Sequence, residues 1–236
     1  TPRHYQKKIG NNAVMKHIQR LRRMVTLAYQ IEWIDKDPFR KFKQKLVPTH
    51  RGYLTAKELK NLEELDIDSE RLKTVRDMFI FSCYTGISYA DLMLLTKQSV
   101  VLGIDGTYWI ITKRQKTGNA VKIPLLSKAF DLIKSYMKDK RSIVNGTLFP
   151  KISNQKLNAY LKEIAKPAEI HKNLTFHMAR HTFATTVTLT NGVPIETISK
   201  MLGHTKLATT QIYAKVIERK VSDDMQLLRE KLEVHT

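Results

Sequence analysis

The sequence predicts a mainly α-helical protein with one small β-hairpin, an α+β chain in two unequal domains. Three observations lead there. Apolar residues recur at helical spacing through most of the 236 residues. Two short β-rich runs, YWIIT at 108–112 and AVKIPL at 120–125, are joined by the basic tip KRQKTGN. A stretch at 36–53 with two prolines, a glycine and several cations separates a short N-terminal part from the rest. We place a first helical domain at 1–46, a linker at 47–52 and a second domain at 53–236. The chain starts at Thr1 without a methionine, from which we expect a piece of a longer protein.

In the first domain, Val14, Ile18, Leu21, Val25 and Ala28 form the apolar stripe of a helix over 11–32, with Lys16, Arg20 and Arg23 repeating on another face. Thr55 and Glu58 stand at capping-box spacing and Leu54 and Leu59 as a hydrophobic staple, so the next helix begins near Ala56. Ser69 is the expected cap of a helix that runs through Leu72, Val75, Phe79 and Cys83 and stops at Gly86. A short helix is expected from Asp91 to about Lys97. The hairpin is the one clear sheet signal. Helices are expected after it near 127–138, 154–166, 176–190, 194–202 and 206–216, and a charged one over 217–232 carries Val221, Met225 and Leu228.

Charge narrows the partners. Lys and Arg number 41 against 22 Asp and Glu, a net +19, and such an excess repels itself unless an anion compensates it. Residues 1–50 alone hold twelve Lys/Arg and three acids, a net of +9. That density favours Lys16, Arg20 and Arg23 as a phosphate-tracking face over a merely solvated one. No apolar run approaches the roughly 18 residues of a membrane helix, and the basic helices use their apolar faces for a core, so no membrane partner is expected. Cys83, the single cysteine, lies in the apolar run MFIFSCY; it reads as packing in a reducing, cytoplasmic compartment.

The chemistry gathers in FHMARHTFATTVTLTNGVPIETISKMLGHTKLATTQIYAKV, 176–216. His177, Arg180 and His181 share one helical face. Gly203 closes the helix that Pro194 opens, which leaves His204 just past its end, and Tyr213 follows nine residues later. Such a set suits a phosphodiester, whose non-bridging oxygens gain charge during displacement and are stabilised by fixed cationic and N–H donors. Arg180 offers a bidentate fork, His177 and His204 offer imidazole N–H groups, and Tyr213 offers a nucleophile if a base or cations lower its pKa from about 10. His177 is one candidate acceptor of its proton. Each residue also has a plainer reading: a helical histidine or tyrosine is commonly core, and His181 can be a buried hydrogen-bonder. A metal site is not expected, because HMARH lacks the glutamate of HExxH.

This segment, with HxxRH, then LGH, then a tyrosine nine residues on, closely resembles the catalytic signature of the phage-integrase-type tyrosine recombinases. The resemblance extends over 53–236 as the whole catalytic domain and 1–46 as the end of a helical core-binding domain, and it implies the tyrosine recombinase catalytic fold. It implies that Tyr213 forms a 3′-phosphotyrosyl link and frees a 5′-hydroxyl while Arg180, His177 and His204 hold the phosphate. A lysine of the hairpin protonates the leaving oxygen; Lys116 is the choice and Lys113 the second, and Lys113 and Arg114 are also expected to touch DNA. No cofactor is implied. The implied partners are double-stranded DNA recombination sites, a homotetramer assembled on them with the 217–236 helix as one docking element, and accessory DNA-bending factors. The implied activity is site-specific recombination for integration or excision of a mobile element. The alternatives are type IB topoisomerase-like nicking and closing, or a non-catalytic DNA-binding regulator.

One position departs from the family pattern. Where TGxRxxE/D places a catalytic arginine, this chain reads TGISYAD, with Ser88 at the arginine position and Asp91 keeping the acid. That serine is similar to the one in integrases of conjugative transposons. Arg76, on the helix that leads into the TG turn, is the expected substitute, because an idle arginine in an apolar stretch is costly to bury.

Overall fold

Helix α1 (Asn11–Gln30) forms in the first of two units, Thr1–His50 and Arg51–Thr236. The computed structural model describes residues 9–47, 52–214 and 225. The inward face of α1 is not the expected stripe: Ile18, Val25 and Ala28 are half-buried, but Val14 and Leu21 are exposed. Polar contacts with the returning chain turn the helix. Asn12 Nδ2 donates to Val47 O at 2.7 Å and Val47 N to Asn12 Oδ1 at 2.9 Å, while Arg22 Nη1 reaches Phe42 O at 3.5 Å. Lys16, Arg20 and Arg23 remain exposed, and with Arg22 they line one open groove of this unit.

In the second unit, α2 (Ala56–Glu64) starts on the capping box. Glu58 N donates to Thr55 Oγ1 at 3.2 Å and Thr55 N to Glu58 Oε2 at 2.7 Å. Helix α3 (Glu70–Thr85) is the central one, buried nearly all round from Thr74 onward; Ser69 precedes it without a side-chain capping bond. Its neighbours are α5 (Ser127–Tyr136), α7 (Asn154–Ala165) and α8 (Phe176–Thr182). Phe79, Phe81, Cys83, Phe149 and Leu161 are buried in the core it anchors. The short helix expected from Asp91 is instead α4 (Tyr89–Leu92), because Ser88 takes the cap and accepts from Asp91 N. Asp139 caps a further helix, α6 (Lys140–Asn145), which is too short to show a periodic pattern in the sequence.

The hairpin forms as β2 (Tyr108–Lys113) and β3 (Ala120–Pro124), in antiparallel register with Ile110 opposite Ile123. A third strand, β1 (Val100–Leu102), adds to the other side of β2. Its three residues are too few to show an alternation in the sequence.

The helix expected over 176–190 is α-helical only as far as Thr182; it continues as a π-helical turn, Phe183–Thr188, and a 3₁₀ turn, Leu189–Asn191. Threonine hydroxyls bond back onto the ladder: Thr185 to His181 O at 2.6 Å, Thr188 to Phe183 O at 2.8 Å and Thr190 to Thr185 O at 3.0 Å. Such back-bonding loosens an α-helix. Helix α9 (Ile195–Met201) begins directly after Pro194. The expected 206–216 helix is a 3₁₀ turn, Leu207–Thr209, followed by α10 (Gln211–Ala214). The helix expected over 217–232 lies outside the described residues apart from Met225, which is helical and exposed.

Candidate active site

Arg180 is the hub. It projects from α8 and is 5 % exposed. Its Nη1 donates to Gly86 O at 2.6 Å, and its Nη2 donates to Leu202 O and stands 3.1 Å from His204 Nε2. Three elements far apart in sequence therefore meet on one guanidinium. Gly86 ends α3 at φ +69°, and a Cβ there would come within 2.5 Å of Phe183. That close approach brings the α3 terminus onto the π-helical turn.

His204 follows α9 and is held by its backbone N–H to Ser199 O at 3.0 Å. Its Nδ1 lies 2.8 Å from Thr210 Oγ1. An arginine can only donate, so Nε2 accepts from Arg180 and the ring proton sits on Nδ1, facing Thr210. In this arrangement His204 orients Arg180. The second ring nitrogen faces Thr210.

Burial first, then the repulsion of Arg180 and Arg114, presses the His204 pKa down to about 4, so the ring is neutral at neutral pH. Burial first and the charge of Arg114 next lower Arg180 to about 10, against the pull of Tyr213 and Asp91. Arg180 stays charged, but it is held by neutral acceptors and pushed by a second cation. A buried cation in that setting calls for an anion.

Tyr213, on α10, is buried in a small apolar cluster with Phe183, Ile198 and Leu202. Its ring lies 5.2 Å from that of His181, which in turn is 4.7 Å from His177, both edge to face. The ring against the tyrosine is thus His181, for which the sequence suggests a structural role, and the exposed His177 stands one ring further out.

Arg76 is a correction. It does not fill the place left by Ser88, because its guanidinium is engaged elsewhere: Nη1 donates to Leu65 O at 2.5 Å, and Nε and Nη2 donate to Asp77 Oδ1 at 3.0 and 2.8 Å. Position 76 lies ten residues before Gly86, about 15 Å along a helix rising 1.5 Å per residue. Lys113 and Lys116 are exposed on the hairpin, and their side chains make no hydrogen bond or ion pair among the described residues. Lys16, Arg20 and Arg23 belong to the other unit.

The hairpin contributes Arg114 instead, for which the sequence suggests DNA contact alone. Its Nη1 donates to Leu202 O at 3.1 Å, the same oxygen that Arg180 uses. Its Nε stands 3.6 Å from Asp91 Oδ2. The Asp91 carboxylate also accepts from Ser88 Oγ at 2.6 Å and from Gln115 N at 2.9 Å. Gly203, at φ +62°, leaves the room: a Cβ there would lie 2.6 Å from Arg114 Cδ and 2.7 Å from Val121 Cγ2. Gly86, Asp91, Arg114, Arg180 and Leu202 line one small cleft.

The architecture has solved counterparts among recombinases and integrases. The XerA recombinase shares it at TM-score 0.62 and 24% identity, over 94% of this chain and 86% of that one. The Tn1549 transposon integrase in complex with transposon right end DNA shares it at TM-score 0.69 and 18% identity, over 96% and 82%. Helices around a three-stranded sheet, with the signature histidines and arginine on one helix, define the tyrosine recombinase catalytic fold. Residues 52–219 match the phage integrase family and residues 1–46 the phage integrase SAM-like domain; the chain belongs to the phage integrase family. Among its relatives are two from Halalkalibacterium halodurans. Tyrosine recombinase XerD is 32% identical over 59% of this chain and 48% of its own length, and tyrosine recombinase XerC is 25% identical over 93% and 76%. The chain thus spans about half the length of that XerD.

Proposed function

We propose that this chain is a site-specific DNA recombinase that cleaves and rejoins strands through Tyr213. One observation carries the reading: Arg180 and His204 meet 3.1 Å apart, in contact with the turn that leads to Tyr213, in a chain of the phage integrase family. The Tyr213 oxygen attacks the scissile phosphorus, a P–O bond to tyrosine forms and the P–O5′ bond breaks. The phenolic proton leaves to a base, for which His181, 5.2 Å ring to ring, and His177 beside it are the candidates, and the departing 5′-oxygen takes a proton from Lys116. One phosphodiester is exchanged for another, so the reverse attack by a 5′-hydroxyl of a second strand reseals DNA without ATP.

Arg180 supplies a fixed positive charge where the transition state gains negative charge, and it needs no reorganisation because Gly86 O, Leu202 O and His204 already hold it. The substrate is double-stranded DNA carrying recombination sites. The likeness to the Tn1549 transposon integrase supports a role in integration and excision of a mobile element. Exchange between two duplexes uses four tyrosines, hence a homotetramer on DNA, with accessory DNA-bending factors to shape the sites. The setting is the cytoplasm. The test uses nicked duplexes with a randomised core and a scissile phosphate beside the nick, so that cleavage loses a short strand and traps the intermediate. We expect SDS-stable protein–DNA complexes from the wild type and none from Tyr213→Phe. Their absence from the wild type overturns the reading in favour of a DNA-binding regulator.

A further inference from the structure

We propose that Arg114 is the second arginine of the phosphate site and contacts a non-bridging oxygen of the scissile phosphodiester, in place of the cation that Ser88 cannot supply. The inference rests on the recombinase reading above.

Ser88 is fully engaged. It caps α4, accepting from Asp91 N and donating to the Asp91 carboxylate. Asp91, itself buried, is the carboxylate beside the site among the described residues, and its remaining contacts turn to the hairpin: Gln115 N at 2.9 Å and Arg114 Nε at 3.6 Å. The acid after the TG turn therefore anchors an arginine that comes from the sheet.

That arginine sits beside Arg180. Arg114 Nη1 and Arg180 Nη2 donate to one oxygen, Leu202 O, so both guanidiniums lie within hydrogen-bond reach of a single atom. Two cations around one carbonyl, with one carboxylate behind them, leave an excess positive charge in a site that is largely closed to water. The mutual repulsion lowers the Arg180 pKa, after burial has done so. A phosphodiester monoanion removes that excess, and the extra charge of a pentacoordinate transition state removes it more fully.

Arg114 has a hand left for it. Nη1 and Nε face Leu202 and Asp91, while Nη2 makes no hydrogen bond among the described residues, and the side chain is 14% exposed. Its stem lies where a side chain at position 203 would be, so the close approach needs the glycine of LGH. Arg76 is bound to Asp77 and Leu65, and Lys113 and Lys116 are exposed on the hairpin, which leaves Arg114, among the described residues, as the cation that shares a partner with Arg180.

The experiment measures single-turnover covalent-complex formation on nicked duplexes selected as above. They carry at the scissile position either a phosphate or a methylphosphonate, in which a methyl group replaces one non-bridging oxygen and the charge. Wild type, Arg114→Ala, Arg114→Gln and Tyr213→Phe are compared. On phosphate both Arg114 variants should be slower by about 10²–10³-fold, the cost of one lost oxyanion donor. On the neutral linkage their deficit against wild type should shrink below about tenfold, because the charge that needs Arg114 is gone. Equal rates on phosphate, or an undiminished deficit on methylphosphonate, overturn the proposal; the second outcome marks Arg114 as merely structural. If Arg114→Ala does not fold, Arg114→Gln, which can still donate to Leu202 O, carries the same comparison. A wild type that forms no complex on phosphate fails the recombinase reading itself, whereas a failure confined to the Arg114 comparison leaves that reading standing.

Discussion

Arg180 and His204, on α8 and just beyond α9, stand 3.1 Å apart with the histidine accepting and the arginine donating. That direction makes the pair a positioning device: the imidazole fixes one edge of the guanidinium, and the carbonyls of Gly86 and Leu202 fix the others. Because each acceptor lies in a different direction, the planar fork of arginine is required. Arg180→Lys should slow covalent-complex formation by at least about a hundredfold. It should also leave a buried carbonyl unpaired at about 1–3 kcal/mol, read as a lower urea midpoint.

The His204 pKa of about 4 sets a pH dependence. In the unfolded chain a histidine titrates near about 6.5. Above that pH neither state carries the proton, and His204 leaves stability unchanged. As pH falls from there toward 4, the unfolded chain takes up a proton that the folded site refuses, so stability drops. Urea unfolding across this window should show that slope, and His204→Gln should flatten it.

Gly203→Ala should both strain and crowd the site. The backbone is at φ +62°, and the new methyl would meet Arg114 and Val121 at 2.6 and 2.7 Å. We expect a loss of about 1–3 kcal/mol in unfolding free energy and a fall in cleavage exceeding that of Gly192→Ala. Gly192 has a similar φ of +83°, but a methyl added there would meet no atom within 4 Å, so it controls for backbone strain alone.

Arg76→Ala separates stability from chemistry. It leaves the buried Asp77 with the Tyr136 hydroxyl at 3.0 Å but without its ion pair. Breaking such a pair costs about 3–5 kcal/mol. The folded fraction should cleave at the wild-type rate, as measured by active-site titration against the trapped complex.

Replacing Lys16, Arg20 and Arg23 together with alanine should weaken DNA binding uniformly across sequences. If each neutralises a phosphate, the slope of log K against log salt becomes shallower by up to about 2.7, at about 0.9 per contact. A fluorescence-anisotropy salt titration reads this directly.

Much of the site is legible in the sequence because its signals are local. HxxRH places His177, Arg180 and His181 on one face, and Gly203 fixes where His204 emerges; neither needs knowledge of a neighbour. The capping box at Thr55 and Glu58 and the stop at Gly86 are local too, and both form as expected. The departures share a different cause. The inward face of α1 is chosen by hydrogen bonds with residues 42 and 47, and the α-helix after Thr182 gives way to threonine back-bonding. Strand β1 exists because β2 offers it an edge.

Arg76 and Arg114 show the division most sharply. By sequence Arg76 is the candidate for the site, because a helix leads from it to the TG turn, and Arg114 is a DNA contact only. The sequence by itself pointed to the family and singled out Tyr213, Arg180 and the histidines as candidates, since the motif that carries them is read from residue type and order along the chain. Which further cation joins them was decided only by the tertiary structure. A guanidinium goes where its acceptors are, and Leu202 O, Asp91 and the space over Gly203 come together around Arg114 only when the hairpin, α4 and the end of α9 have packed.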